Sequence, residues 1–98
     1  MDVLEWLSQW FSSYCDEDWE HGYGIRIETL DNPGWSVLIA LEGTNLENIS
    51  FEKIAVDNNN SDWLICWVEN GFFNGCGDLS KLRKIVEIFK EWSDSQAF

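Results

Sequence analysis

The spacing of apolar residues predicts a helix near each end of the chain. In residues 2–14 the apolar side chains recur every three or four positions, as on one face of a helix; they are Val3, Leu7, Trp10, Phe11 and Tyr14. A second stripe of the same period, in residues 79–93, consists of Leu82, Ile85, Val86, Phe89 and Trp92. Asp78 is of a type favoured at helix N-caps, so we expect the second helix to begin there.

Four segments between the helices have the patterns of β-strands. Residues 23–31 alternate apolar and polar side chains, and residues 35–42 contain the run "VLIA", which is typical of a central strand covered on both faces. Between them, "NPGW" predicts a hairpin turn with a positive φ at Gly34. Residues 50–57 and 62–69 are the third and fourth predicted strands. The glycine-rich "NGFFNGCGD" that follows is predicted to be a loop.

The element order α-β-β-β-β-α predicts one α+β domain over residues 1–98. Short connections favour a four-stranded antiparallel sheet in meander order, with the N-terminal and C-terminal helices on one face. Trp6, Trp10 and Trp92 are expected in the core. Trp63 and Trp67 share one face of the fourth strand, so they are core residues if that face meets the helices, and an exposed aromatic patch if it is open.

The net charge of the chain indicates which class of partner it can bind. The 98 residues contain 18 Asp and Glu against 6 Lys and Arg, a net charge of −12. The imbalance lies in residues 1–80, which hold fifteen acids and two bases. A field this negative repels nucleic acid and anionic membranes and attracts basic proteins. Acids stand where a signal peptide has bases, and three widely spaced cysteines do not form a disulfide framework, so we expect a cytoplasmic protein.

The stretch "CDEDWEHGYG" (15–24) concentrates the groups that carry chemistry. Asp16, Asp18 and Glu20 alternate like the opening of an EF-hand loop, but His21 and Ile27 occupy the places where that loop requires Gly and Glu. Zinc requires four nitrogen or sulfur ligands at suitable spacing, which this stretch alone does not supply. We therefore predict no metal and no cofactor.

A catalytic function is the second possibility for the same stretch. Cys15 and His21 are a candidate nucleophile–base pair, but the neighbouring carboxylates would raise the pKa of the thiol, which opposes nucleophilic attack. We therefore predict no catalytic residue. A small metal-dependent or cysteine enzyme that uses Cys15, Asp16, Asp18, Glu20 and His21 remains the alternative, beside a generic acidic protein-interaction domain.

Acidic surfaces with aromatic anchors suit proteins that bind basic partners tightly. A nuclease is such a partner because its cleft is built to hold phosphate. An inhibitor that fills the cleft needs carboxylates in place of phosphates and a few buried aromatic side chains to slow dissociation.

Four segments carry a resemblance that points the same way. They are "LEWLSQWF", "CDEDWEHGYGIRIETLDNPGWSV", "DWLICWVENGFFNGCGD" and "LRKIVEIFKEW". Across roughly residues 3 to 92 the chain resembles the immunity protein 53 family, small inhibitors in bacterial polymorphic toxin systems. The combination of "DWEHGYGI" with "TLDNPGW" is the specific part. The residues that match its signature are Asp16, Asp18, Trp19, Glu20, His21, Tyr23, Asp31, Asn32 and Trp35.

The resemblance implies an antitoxin that is not an enzyme and that binds a cognate toxin domain. Together with the charge, it leads us to expect a basic nuclease as the target, with the oligomeric state left open. Several signature residues are equally well explained as builders of the fold. The residues we expect at the partner surface are Asp16, Glu17, Asp18, Trp19, Glu20, His21, Asp31, Trp63, Trp67, Phe72 and Phe73.

Overall fold

The computed structural model describes residues 2–96, which form three helices and five strands. In chain order they are α1 (Val3–Tyr14), α2 (Trp19–Gly22), β1 (Ile25–Leu30), β2 (Gly34–Ala40), β3 (Ile54–Asn59), β4 (Asp62–Glu69), β5 (Phe72–Gly77) and α3 (Leu82–Ser95). The α+β class and the terminal helices are as predicted. No helix within the described residues is long and apolar enough to cross a membrane.

The sheet differs from the prediction in strand number and strand order. It has five antiparallel strands in the order β1-β2-β5-β4-β3, so the predicted four-stranded meander is wrong. After β2 the chain passes through residues 41–53 to β3 at the opposite edge. It then returns through β4 to β5, which lies between β2 and β4.

The missed strand, β5, is the segment predicted to be a loop because of its glycines. These glycines allow close approach of α3. A Cβ atom on Gly75 would lie 2.4 Å from Ile85 Cγ2, and one on Gly77 would lie 2.7 Å from Lys81 Cβ. Glycine within a strand often marks such an approach. A glycine-rich segment therefore forms a central strand here, because only glycine leaves room for the helix that packs across it.

The core lies between the sheet and the layer of α1 and α3. Phe73 and Phe89 are fully buried there, with ring centroids 5.1 Å apart. Trp10 and Trp92 are 8% exposed, so their expected core positions are confirmed, whereas Trp6 is half-buried and packs against the core cluster.

Two local predictions are wrong. Gly34 has no positive φ and already belongs to β2, where a Cβ atom would lie 2.5 Å from the Gly77 carbonyl oxygen, so close packing explains this glycine. Asp78 does not begin α3, whose N-cap is Lys81. The buried Asp78 carboxylate instead accepts hydrogen bonds from the Trp63 and Ser80 backbone N–H groups, at 2.8 and 2.7 Å.

Candidate functional site

Residues 15–24, here called the acidic corner, connect α1 to the sheet through the short helix α2. Asp16 Oδ1 accepts hydrogen bonds from the backbone N–H groups of Asp18 and Trp19, at 3.0 and 2.8 Å. These bonds satisfy donors at the start of α2, which have no partner within the helix. The Trp19 bond is the largest cause of the lowered pKa of Asp16.

Glu20 closes the same turn from the other side. Its carboxylate accepts hydrogen bonds from the backbone N–H groups of Asp16 and Glu17, both at 2.9 Å. The pKa of Glu20 is lowered, first by its own backbone N–H and then by those two donors, although partial desolvation opposes the shift. Glu17 has φ +78°, a left-handed conformation that a non-glycine residue rarely adopts. Two of the four acids therefore stabilise the turn.

Trp19 anchors the acidic corner to the core. Its side chain is only 6% exposed, and its Nε1 donates a hydrogen bond to the Glu42 carbonyl oxygen at 2.7 Å. The ring packs against Phe11 at 5.5 Å between centroids and against Trp10 at 6.2 Å. Trp19 is therefore a structural residue in this fold, although the sequence placed it at the partner surface.

The outward side of the acidic corner consists of Glu17, Asp18 and His21. All three residues are exposed. Within residues 2–96, none of their side chains makes a hydrogen bond or an ion pair. These side chains are available to a partner, in contrast to Asp16 and Glu20.

The groups that would support catalysis or metal binding are not assembled at the acidic corner. Cys15 Sγ donates to the Phe11 carbonyl oxygen at 3.3 Å. Desolvation and the carboxylates of Glu20 and Asp16 raise the pKa of Cys15, the direction that the sequence predicted. In the described part of the chain, no group of three or more His, Cys, Asp or Glu side chains is placed to hold a metal ion.

Trp63 and Trp67 lie on the sheet face that points away from the helices. Along β4 they alternate with Leu64 and Cys66, which are buried beneath the helices, so the tryptophans lie on the opposite face. On this face, here called the open face, the side chains around the two tryptophans are exposed or half-buried, whereas the opposite face packs into the core with α1 and α3. By strand register the open face includes Arg26, Glu28, Ser36, Leu38, Ala55, Asp57, Trp63, Ile65, Trp67, Phe72, Asn74 and Cys76.

The two adjacent phenylalanines of β5 have different environments. Phe72 is half-buried on the open face, whereas Phe73 is 0% exposed in the core. Successive side chains of a strand point to opposite faces, so only one of the pair can be available. The expectation of Phe73 at the partner surface is therefore corrected: it is a core residue. The sequence could not resolve this because it did not identify β5 as a strand.

A groove of about 690 Å³ lies between the β1–β2 turn and strands β3 and β4; most of its lining is on the open face, and Val56 and Leu64, at the alternate strand positions, also line it. Its lining includes Asn32, Pro33, Ala55, Asp57, Trp63 and Ile65. Asp31, expected at the partner surface, is exposed beside it in the turn. Sequence reasoning missed Asp57, which becomes a site residue only through its register opposite Trp63.

Ion pairing leaves much of the negative charge free. Four of the six bases are paired within residues 2–96: Lys81 with Asp62 and Asp78, Arg83 with Asp2, Lys90 with Asp94, and Arg26 with Glu28. The hydrogen bond from Lys81 is the largest cause of the lowered pKa of Asp78. Asp57, Asp31, Glu17 and Asp18 have no cationic partner in the described region, so the groove and the acidic corner keep their negative charge.

Comparison with known proteins gives one positive result. The family described as Immunity protein 53 matches residues 4–94. Neither a search of curated proteins nor one of solved structures finds a match. Because the family match covers nearly the whole chain, and includes the acidic corner and every strand, this chain belongs to the immunity protein 53 family.

Proposed function

We propose that this immunity protein neutralises a basic nuclease toxin by binding it through the open face and the outward side of the acidic corner. Family membership implies immunity against a cognate toxin. The observation that supports this particular surface is the placement of Trp63 and Trp67 on a sheet face that the helices leave uncovered. Large aromatic side chains in that position mark interaction sites.

The open face has the composition of an interface centre. Trp63, Trp67 and Phe72 are half-buried in the free protein, so each retains apolar surface to bury against a partner. Truncation of a tryptophan at the centre of an interface typically costs about 2 kcal/mol or more of binding free energy. Asp57, beside this aromatic centre, adds charge complementarity to a basic toxin.

The acidic corner supplies long-range attraction in this proposal. Glu17 and Asp18 project into solvent without cationic partners in the described chain. Exposed charges of this kind raise association rates in a salt-dependent manner and contribute less to the lifetime of the complex. A nuclease target fits because carboxylates can occupy a cleft that binds phosphate. A cytoplasmic location fits the three free cysteines.

The first experiment identifies the toxin. The tagged protein is used as bait in a lysate of the native bacterium that expresses the toxin, with a high-salt wash and mass spectrometry. We expect stoichiometric retention of one basic protein with a nuclease domain. Retention only of scattered basic proteins, all lost in moderate salt, contradicts the proposal.

The second experiment tests the open face. The double variant Trp63→Ala, Trp67→Ala is compared with Leu4→Ala, which truncates a side chain that is 49% exposed on the helix layer. We expect the tryptophan variant to raise the toxin Kd at least about 30-fold, the equivalent of ~2 kcal/mol, and to lose protection in cells. Circular dichroism confirms the fold of both variants. Equal Kd values for both variants, with folding intact, would exclude the open face.

The third experiment separates local charge from net charge at the acidic corner. The variant Glu17→Lys, Asp18→Lys is compared with Glu5→Lys, Glu91→Lys, which makes the same charge change at exposed positions of α1 and α3. We expect the corner variant to associate more slowly and with a weaker dependence on salt. Equal slowing in the two variants would mean that only net charge matters, and association at the rate of the unmodified protein would remove the acidic corner from the interface.

A further inference from the structure

The groove combines a carboxylate with an indole ring on adjacent strands. Asp57 and Trp63 are direct partners in the β3–β4 register, and both lie on the open face. Side chains of directly opposed residues have Cβ atoms about 4.5–5.5 Å apart. Both residues line the 690 Å³ groove, so a ligand group within it reaches the carboxylate and the ring face together.

Neither group is satisfied within the protein. The Asp57 carboxylate has no ion pair or hydrogen bond within residues 2–96. Asp62, the nearest acid on the paired strand β4, instead forms an ion pair in which its Oδ1 lies 2.8 Å from Lys81 Nζ. The Trp63 indole N–H likewise donates no hydrogen bond in the described structure, unlike those of Trp19, Trp35, Trp67 and Trp92. The groove therefore presents an unpaired anion, a π-face and a free donor.

We propose that this groove is a receptor for an arginine side chain of the partner, with Asp57 accepting from the guanidinium and Trp63 stacking on its plane. The assignment rests on the proposed function in naming the toxin as the natural source of that arginine. A guanidinium forms bidentate hydrogen bonds with a carboxylate and stacks on an indole, and it is more weakly hydrated than an ammonium group. The groove thus distinguishes arginine from lysine, which carries the same charge, by the planar shape and the paired donors of the guanidinium.

The remaining walls suit the same occupant. Asn32 lies in the turn on one side and Asn60 lies beyond Asp57 on the other, next to Asn59, whose Oδ1 already accepts a hydrogen bond from the Ser61 backbone N–H at 2.8 Å. Amide oxygens accept the guanidinium donors that a single carboxylate leaves free. Pro33 and Ile65 provide apolar contact for the three methylene groups of the side chain. The composition of the groove therefore matches the charged end and the apolar stem of arginine.

The experiment uses the free protein and a small probe, so it is independent of the toxin. Acetyl-arginine amide is titrated at constant ionic strength into protein labelled with ¹⁵N, and the indole N–H signals are followed by NMR. The Trp63 signal is assigned with Trp63→Phe. We expect a saturable shift of the Trp63 signal, a weaker response to acetyl-lysine amide, and the weakest to acetyl-citrulline amide, which has the same shape without the charge.

The carboxylate is tested by Asp57→Asn, with Asp18→Asn at the acidic corner as a control of equal charge change. We expect Asp57→Asn to weaken binding of the arginine probe about two- to fivefold, the range for an exposed ion pair, and Asp18→Asn to leave it unchanged. Equal responses to arginine and citrulline, or an Asp57→Asn titration identical to that of the unmodified protein, would overturn the receptor. Toxin protection that persists alongside such a result leaves the proposed function standing.

Discussion

Substitution of Gly75 by alanine tests why a glycine-rich segment forms the middle strand of this sheet. The added Cβ atom would lie 2.4 Å from Ile85 Cγ2, whereas carbon atoms in contact are normally about 3.5–4.0 Å apart. Ile85 is fully buried in α3 and cannot turn into solvent. The same Cβ atom would also lie 3.5 Å from both Cys66 Sγ and Phe73 Cε2, so the neighbours leave no free side.

The expected cost follows from these distances. Relief of the contact requires α3 to move away from β5 by about 1 Å, and overpacking of a buried site costs about 1–3 kcal/mol. Replacement of glycine also restricts the unfolded chain, which returns about 0.4–1 kcal/mol. We expect a net loss of about 1–2 kcal/mol in the free energy of unfolding. For a domain of this size that corresponds to a fall in Tm of roughly 10 °C.

The assay is thermal and urea unfolding followed by circular dichroism. Gly22→Ala is the matched control because a Cβ atom there meets nothing within 4 Å and φ is not positive, so only the unfolded-chain term acts and its stability should rise by about 0.4–1 kcal/mol. In a Gly75→Ala, Ile85→Leu double variant, the leucine lacks the offending Cγ2 atom and should recover part of the loss. A Gly75→Ala protein as stable as the control, or no recovery in the double variant, would refute the close-approach explanation of β5.

Two further predictions concern the buried anchors of the site. Trp19→Phe removes the Nε1 hydrogen bond and leaves the Glu42 carbonyl oxygen without its donor, so we expect urea unfolding to show a loss of about 1–2 kcal/mol in the free energy of unfolding. The control Trp67→Phe should lose less than about 0.5 kcal/mol, because the Trp67 bond goes to an exposed carboxylate. Equal losses would contradict the anchoring role of Trp19. The Lys81 hydrogen bond and further donors lower the pKa of Asp78 in the folded state, so the contribution of its carboxylate to folding stability is complete above the unfolded carboxyl pKa of about 3.9 and declines as the pH falls below that value. We therefore expect Asp78→Asn to be less stable than Asp31→Asn at neutral pH and to lose less stability on acidification. Urea midpoints of the two variants that run parallel from neutral to acid pH would contradict this prediction.

The sequence predicted the elements whose patterns depend on local neighbours. The apolar stripes located α1 and α3, and the fourth predicted strand coincides with β4 at Asp62–Glu69. In these segments a single face is buried, so the period of apolar residues carries the information. The α+β class followed from the same patterns, and the family resemblance, carried by four segments, is confirmed by the match over residues 4–94.

The position of β5 depended on contacts that no local pattern contains. The segment with Gly75 and Gly77 has the composition of a loop. These positions require glycine because α3, which follows within ten residues in the chain, packs closely across the strand. The strand order followed from the same event, because insertion of β5 between β2 and β4 turns a meander into a sheet with a long crossing connection. The exclusion of Phe73 from the surface, and the selection of Phe72 for it, are consequences of that one missed strand.

The acidic corner shows why residue type alone does not assign function. Its four carboxylates are equivalent in the sequence, yet Asp16 and Glu20 accept backbone hydrogen bonds within the turn while Glu17 and Asp18 have none. An acid in such a motif is therefore evidence of a turn as much as of a partner. Reversal of all four charges would unfold the turn and remove the surface charge together, so loss of binding would have two explanations. Reversal of Glu17 and Asp18 alone leaves the hydrogen-bonded frame intact, and any slower association then reports on the surface.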